Sequence, residues 1–161
     1  MSQLPDWLPD LILLEEYRGN WSQYIEAVYR YFYEDFVQNP PLYERAPIRL
    51  KRHPVSQGKE ATFWHLTSEG NDEANRLPDL RRCERIRWPK PIIEHEADSL
   101  LKVWANERRG EQRICLWLEQ EEYLVVLARR PGYTLLWTAY LVTWPHQKRK
   151  LQREYEAFHR N

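Results

Sequence analysis

The chain is expected to fold as an α+β domain, an antiparallel sheet with a C-terminal three-stranded meander, packed by an N-terminal and a C-terminal helix. Three observations predict this. Residues 113–143 contain three β-branched, apolar stretches separated by short turns. Residues 21–38 place Trp21, Ile25, Val28, Phe32 and Phe36 at near-helical spacing. Pro145 opens a basic stretch in which Leu151, Tyr155 and Phe158 give one apolar edge, as a terminal helix requires.

Taken in order, an apolar stretch from Leu8 to Leu14 ends at Gly19-Asn20. Asn20 then caps a helix that Asn39-Pro40-Pro41 stops. Ile48–Arg52 alternates as a strand, and Ala61–Thr67 (ATFWHLT) reads as a second strand paired antiparallel to it. Pro78-Asp79 starts a short helix to about Arg85. Trp88-Pro89-Lys90-Pro91 interrupts it, and Ile92-Ile93 adds an extended piece. Residues 97–107 (ADSLLKVWANE) read as a helix ended near Gly110. The meander follows as 113–119, 123–128 and 133–143.

The 161 residues suit one domain, 1–161, and this length can bury a real core. Formal charge is zero but uneven. Eight acids against three bases leave 1–45 at −5, an acidic helical segment, and the α+β body 46–161 stands at +5. A basic body points to an anionic partner, and two solvated faces of one domain are the ordinary alternative. The opening MSQLPDWLPD has no basic stretch of a secretory leader, and no apolar run approaches the ~20 residues of a membrane span. A cytoplasmic protein with reduced Cys83 and Cys115 and no membrane partner is the expectation. No metal or cofactor is expected. The five histidines show no zinc-helix spacing, there is no CxxC, and the five scattered glycines make no phosphate-cradling loop.

What remains is histidine, arginine and hydroxyl chemistry. His65 titrates near neutrality and can serve as general acid or base; a hydrogen-bonded structural histidine is the alternative. The arginines come in groups: Arg81-Arg82, then Arg85 and Arg87, then Arg108-Arg109, then Arg129-Arg130. Their forks suit phosphate oxygens, though solvated surface charge is as common. Arg81 and Arg85 share a helical face if Asp79–Arg87 is helical. Strand alternation puts Thr138 and Tyr140 on one face, with Trp137 and Ala139 on the other. Eight Trp and ten Tyr are mostly core at this size, and one or two can stack on nucleic-acid bases.

The order Phe-Trp-His65-Leu-Thr, then arginines, then a last strand Trp137-Thr138-Ala139-Tyr140-Leu-Val resembles the barnase, EndoU, colicin and RelE-like nuclease superfamily, especially its phage-associated branches. The resemblance covers about residues 48–145. It implies a metal-independent endoribonuclease of toxin or prophage type. The ribose hydroxyl would attack the adjacent phosphate to leave a cyclic phosphate. His65 would be the general base or acid, and Arg81, Arg85 or Arg129 would neutralise the phosphate. Thr138 would bond a phosphate oxygen, and Tyr140 would orient a base or a proton donor. RNA would be the substrate, and an inhibitor or antitoxin protein a partner. Near-zero total charge departs from the basic character of many such nucleases. The alternative function is a non-catalytic RNA- or protein-binding module.

Overall fold

The computed structural model describes residues 3–70 and 76–160. A 3-10 turn, Leu14–Tyr17, precedes helix α1 (Trp21–Phe32), whose first turn is capped by the Asn20 side chain accepting from the Gln23 amide at 3.1 Å. The helix continues as a π-helical turn, Tyr33–Gln38. Strands β1 (Leu42–Tyr43), β2 (Ala46–Pro47) and β3 (Arg49–Leu50) lead to helix α2 (Ala61–Thr67). The small ladder of β4 (Ser68–Glu69) and β5 (Leu77–Pro78) precedes helices α3 (Leu80–Glu84) and α4 (Pro89–Glu94). Strands β6 (Leu101–Arg108), β7 (Glu111–Leu118), β8 (Tyr123–Arg130) and β9 (Tyr133–Leu141) follow, and helix α5 (Pro145–His159) closes the chain. Among the described residues no helix is long and apolar enough to cross a membrane.

The architecture is α+β, built on a five-stranded sheet of order β3-β9-β8-β7-β6. Strands β6 to β9 form an antiparallel meander. β3 joins the edge in parallel, with Arg49 opposite Leu135. Because alternate residues point to opposite faces, each long strand feeds two apolar layers. Ile114, Leu116, Leu118, Val125, Leu127 and Leu136 pack with Val28, Phe32, Phe63, Ile86 and Ile92 in a layer covered by helices α1 to α4. Trp104, Cys115, Trp117, Leu124 and Val126 pack on the other side against Leu151 and Tyr155 of α5.

Two local expectations are overturned. Residues 61–67 are a helix and not a strand, because tertiary bonds outweigh their β-branched and aromatic preference. Phe63 and Leu66 lie at i and i+3 and both enter the helix-covered core. The Thr62 hydroxyl satisfies both Lys51 backbone groups, at 2.7 and 3.2 Å. Residues 101–108 are strand β6 and not a helix. Leu101 and Trp104 are three apart and both buried, but they enter opposite layers of a sheet covered on both sides. A two-sided strand thus mimics helical spacing. In addition, Ile92 and Ile93 belong to α4, started by Pro89 at its first turn, and are not extended.

Candidate functional site

The last strand carries an irregularity that shapes everything around it. Val126 opposes Thr138 while Leu127 opposes Leu136, so Trp137 is the extra residue of a β-bulge. Ala139 keeps its place in the helix-covered core, but Trp137 lines the same cleft as Thr138 and Tyr140. Regular alternation would have sent Trp137 to the other side; the bulge corrects that expectation and puts three cleft-lining side chains, in a run of four residues, on one surface.

That surface is an open cleft of about 1020 Å³. Its floor is the α5-side face of β7, β8 and β9, including Cys115, Leu124 and Val126. One wall comes from α5 through Lys150, Leu151 and Glu154. The opposite wall comes from α2, β4 and α3 through His65, Glu69 and Arg82. Helix α5 packs against β6 and leaves the β9 side uncovered. Six cationic side chains line the cleft (Arg76, Arg82, Arg108, Arg109, Arg113 and Lys150) against two carboxylates, Glu69 and Glu154. Low-dielectric walls lined by one sign of charge concentrate an anionic ligand.

Each of these side chains is held by identifiable contacts. His65 is 5% exposed, and its ring meets Trp137 edge-to-face with centroids 5.2 Å apart. On helix α2, His65 is two positions, about 200°, from Phe63, so Phe63 enters the core as His65 turns to the cleft. The His65 carbonyl accepts from Thr138 Oγ1 at 3.0 Å and from Arg82 Nη1 at 3.0 Å. Arg82 Nη1 also reaches the Ser68 carbonyl at 2.9 Å, and its guanidinium lies 5.2 Å from the Tyr140 ring centroid. Arg82 thereby caps the carbonyl end of α2 and ties it to β9. Arg76 binds the Ser68 and Gly70 carbonyls at 2.6 and 2.8 Å. Arg113 stacks 4.5 Å from the Trp137 centroid while pairing with Glu111 at 2.7 Å. At the α5 wall, Glu154 Oε1 accepts from Asn106 Nδ2 and Trp104 Nε1, and Oε2 faces Arg108 at 3.5 Å.

His65, Thr138 and Tyr140 therefore share one cleft, whereas Arg81, Arg85 and Arg129 do not line it. Arg81 is exposed on α3. Arg85 Nη1 donates to the Arg81 carbonyl at 3.0 Å, and its guanidinium lies over Trp88. Arg129 pairs with Glu44 at 2.6 Å beside Tyr43, sharing the strand parity of Leu127 and hence the helix-covered side. The cleft instead takes Arg82, one residue and about 100° of helix away from Arg81. The bases at Arg76, Arg113 and Lys150 and the stacking Trp137 were missed by sequence reasoning. Arg113 had a legible signal, since it shares a strand parity with Cys115 and Trp117. Trp137 had none, because a bulge is not written in alternation.

Titration and donor chemistry follow from burial. The Tyr140 hydroxyl is pushed above its ordinary value chiefly by burial, so it stays a proton donor at neutral pH. Burial pushes the Cys115 and Cys83 thiols up to about 12, which makes both poor nucleophiles. The single Thr138 proton is committed to the His65 carbonyl, so Thr138 fixes the histidine helix to the sheet. Among the described residues, no group of three or more His, Cys, Asp or Glu side chains is placed to hold a metal ion. No family model matches the chain, and no curated protein or solved structure matches it either.

Proposed function

We propose that the protein is an endoribonuclease that cleaves RNA to a cyclic phosphate by acid–base chemistry without a metal, with the cleft between α2 and α5 as its active site. The observation that carries this reading is the cleft's composition, in which a histidine, a half-buried phenol and an arginine pinned to the histidine's own carbonyl stand among six cations. His65 takes the proton of the ribose 2′-hydroxyl as its oxygen attacks phosphorus. The P–O5′ bond breaks, and the Tyr140 phenol supplies the proton to the leaving oxygen. Arg82 and Arg76 offset the charge that builds on the non-bridging oxygens. Thr138 is a positioning residue, holding α2 to β9 so that the imidazole and phenol keep one relation. Arg82 and Arg76 thus take the phosphate-binding role that the family resemblance implies for Arg81, Arg85 or Arg129.

The test is cleavage of a defined RNA in EDTA by the wild-type protein and by His65→Gln and Tyr140→Phe. General acid–base groups contribute about 10²–10⁴-fold, so each variant should lose a rate factor in that range while its circular dichroism and unfolding midpoint stay close to wild type. Intact RNA with the wild-type protein, or full activity of a folded His65→Gln, would overturn the reading. Salt-dependent RNA binding with no cleavage would reassign the cleft to a non-catalytic RNA-binding module.

A further inference from the structure

The cations of the cleft fall into two banks, and the reaction just described uses only one. Arg76 and Arg82 stand on the α2–α3 side, each bound to backbone carbonyls beside His65. Arg108 and Arg109 stand on the far side at the tip of the β6–β7 hairpin, and Lys150 faces the cleft from α5. The hairpin turns through Arg109 and Gly110, with φ of 53° and 76°, a pair of left-handed residues that closes a two-residue turn tightly. Gly110 removes the steric cost at the second position, and Arg109 is held out at the tip.

The two banks differ in how their charge is used. The near bank is anchored by hydrogen bonds to backbone carbonyls. In the far bank, among the described residues, neither Arg109 nor Lys150 has a carboxylate partner, and both are exposed. Arg108 shares only a 3.5 Å contact with Glu154. From β6, which carries Arg108, to β9, which borders the near bank, the sheet spans three strand spacings, roughly 14 Å between backbones. Between the banks lie Trp137 and Tyr140, with Leu124 and Val126 in the floor. A row of cation, aromatic surface and cation matches a polynucleotide strand laid across the sheet with its bases turned down onto the rings.

We infer that Arg108, Arg109 and Lys150 form a second phosphate-binding bank, so the cleft takes a single RNA strand of several nucleotides across the sheet. The inference rests on the reading of the cleft as an RNA-cleaving site, and it adds the length and form of the substrate. A duplex keeps its bases stacked and paired away from the floor, whereas an unpaired strand can present them to Trp137 and Tyr140. The near bank holds the reacting phosphate, and the far bank holds a phosphate further along the same strand.

The experiment measures binding of an eight-nucleotide 2′-O-methyl RNA, which lacks the attacking hydroxyl and stays intact, by fluorescence anisotropy across a salt series. Each neutralised phosphate of a single strand adds about 0.7 to the slope of log affinity against log salt, so Arg109→Ala/Lys150→Ala, which removes the far-bank phosphate contact, should lower the octamer's slope by about 0.7. Affinity at low salt should fall about tenfold or more, and the preference for octamer over dinucleotide should collapse. Equal octamer slopes in wild type and double variant would overturn the inference. So would a proportionate loss on the dinucleotide, which would place these cations at the reacting phosphate, or tighter binding of the duplex octamer. If the slope difference appears but unmodified RNA is never cleaved, the nuclease reading fails and the second bank stands.

Discussion

The two faces of the central sheet are made by the same strands and do opposite things. The face toward α1–α4 is closed by Phe32, Phe63, Ile86 and Ile92, all essentially without solvent exposure. The face toward α5 is closed chiefly over β6 and its neighbour β7, where Trp104 and Trp117 pack with Tyr155. Beyond that it opens into the cationic cleft. The first face is packed interior; the second is left partly open and lined with charge. Helix α2 joins the two, because Phe63 belongs to the closed face and His65 to the open one.

This contrast can be broken or sharpened by substitution. Phe63 contacts the rings of Tyr29 and Phe32 at 5.1 and 5.4 Å. Phe63→Ala should therefore lose about 3–5 kcal/mol of stability by denaturant unfolding. Trp137 is equally large but sits on the open face. Trp137→Ala should cost about 1–3 kcal/mol of single-strand RNA affinity, and clearly less folding stability than Phe63→Ala, in the same unfolding assay. A Trp137→Ala loss of stability as large as that of Phe63→Ala would erase the distinction between the faces. Arg82→Lys keeps the charge but puts a shorter, non-planar ammonium where one guanidinium nitrogen reaches both the His65 and Ser68 carbonyls. It should lower stability by about 1–2 kcal/mol and cleavage by about 10²-fold.

The smallest effect compares the faces through their thiols. Cys83 lies in the helix-covered core and Cys115 in the α5 layer, and burial pushes both up to about 12. An aromatic disulfide reagent at pH 8 should label neither in the native protein and both after unfolding. The unfolded chain releases these protons near the ordinary thiol value while the fold retains them. Stability should therefore be unaffected below that value and fall as pH rises from about 9 toward 12. Cys83→Ala/Cys115→Ala should flatten the first part of this decline, before the tyrosines titrate.

What could be read from the sequence was what is written locally. The meander and the two terminal helices follow from period and proline placement, and the structure contains all of them. Residues 61–67 and 101–108 were misread for one shared reason: both are covered on more than one side, so burial no longer tracks a single periodicity. At the site, His65, Thr138 and Tyr140 were legible as residue types on recognisable segments. The cations were not, because choosing Arg82 over Arg81 takes a rotation that only packing against α2 decides. The bulge at Trp137 depends on its pairing with β8, a non-local fact.

On the proposed reading, the open face performs a transfer at a phosphodiester with its own side chains. End-group analysis of a defined single-stranded RNA incubated with the protein in EDTA tests it most directly. The expected products are fragments with 2′,3′-cyclic phosphate and 5′-hydroxyl termini, absent when folded His65→Gln is used. Unbroken RNA, or fragments carrying 5′-phosphates, would contradict it.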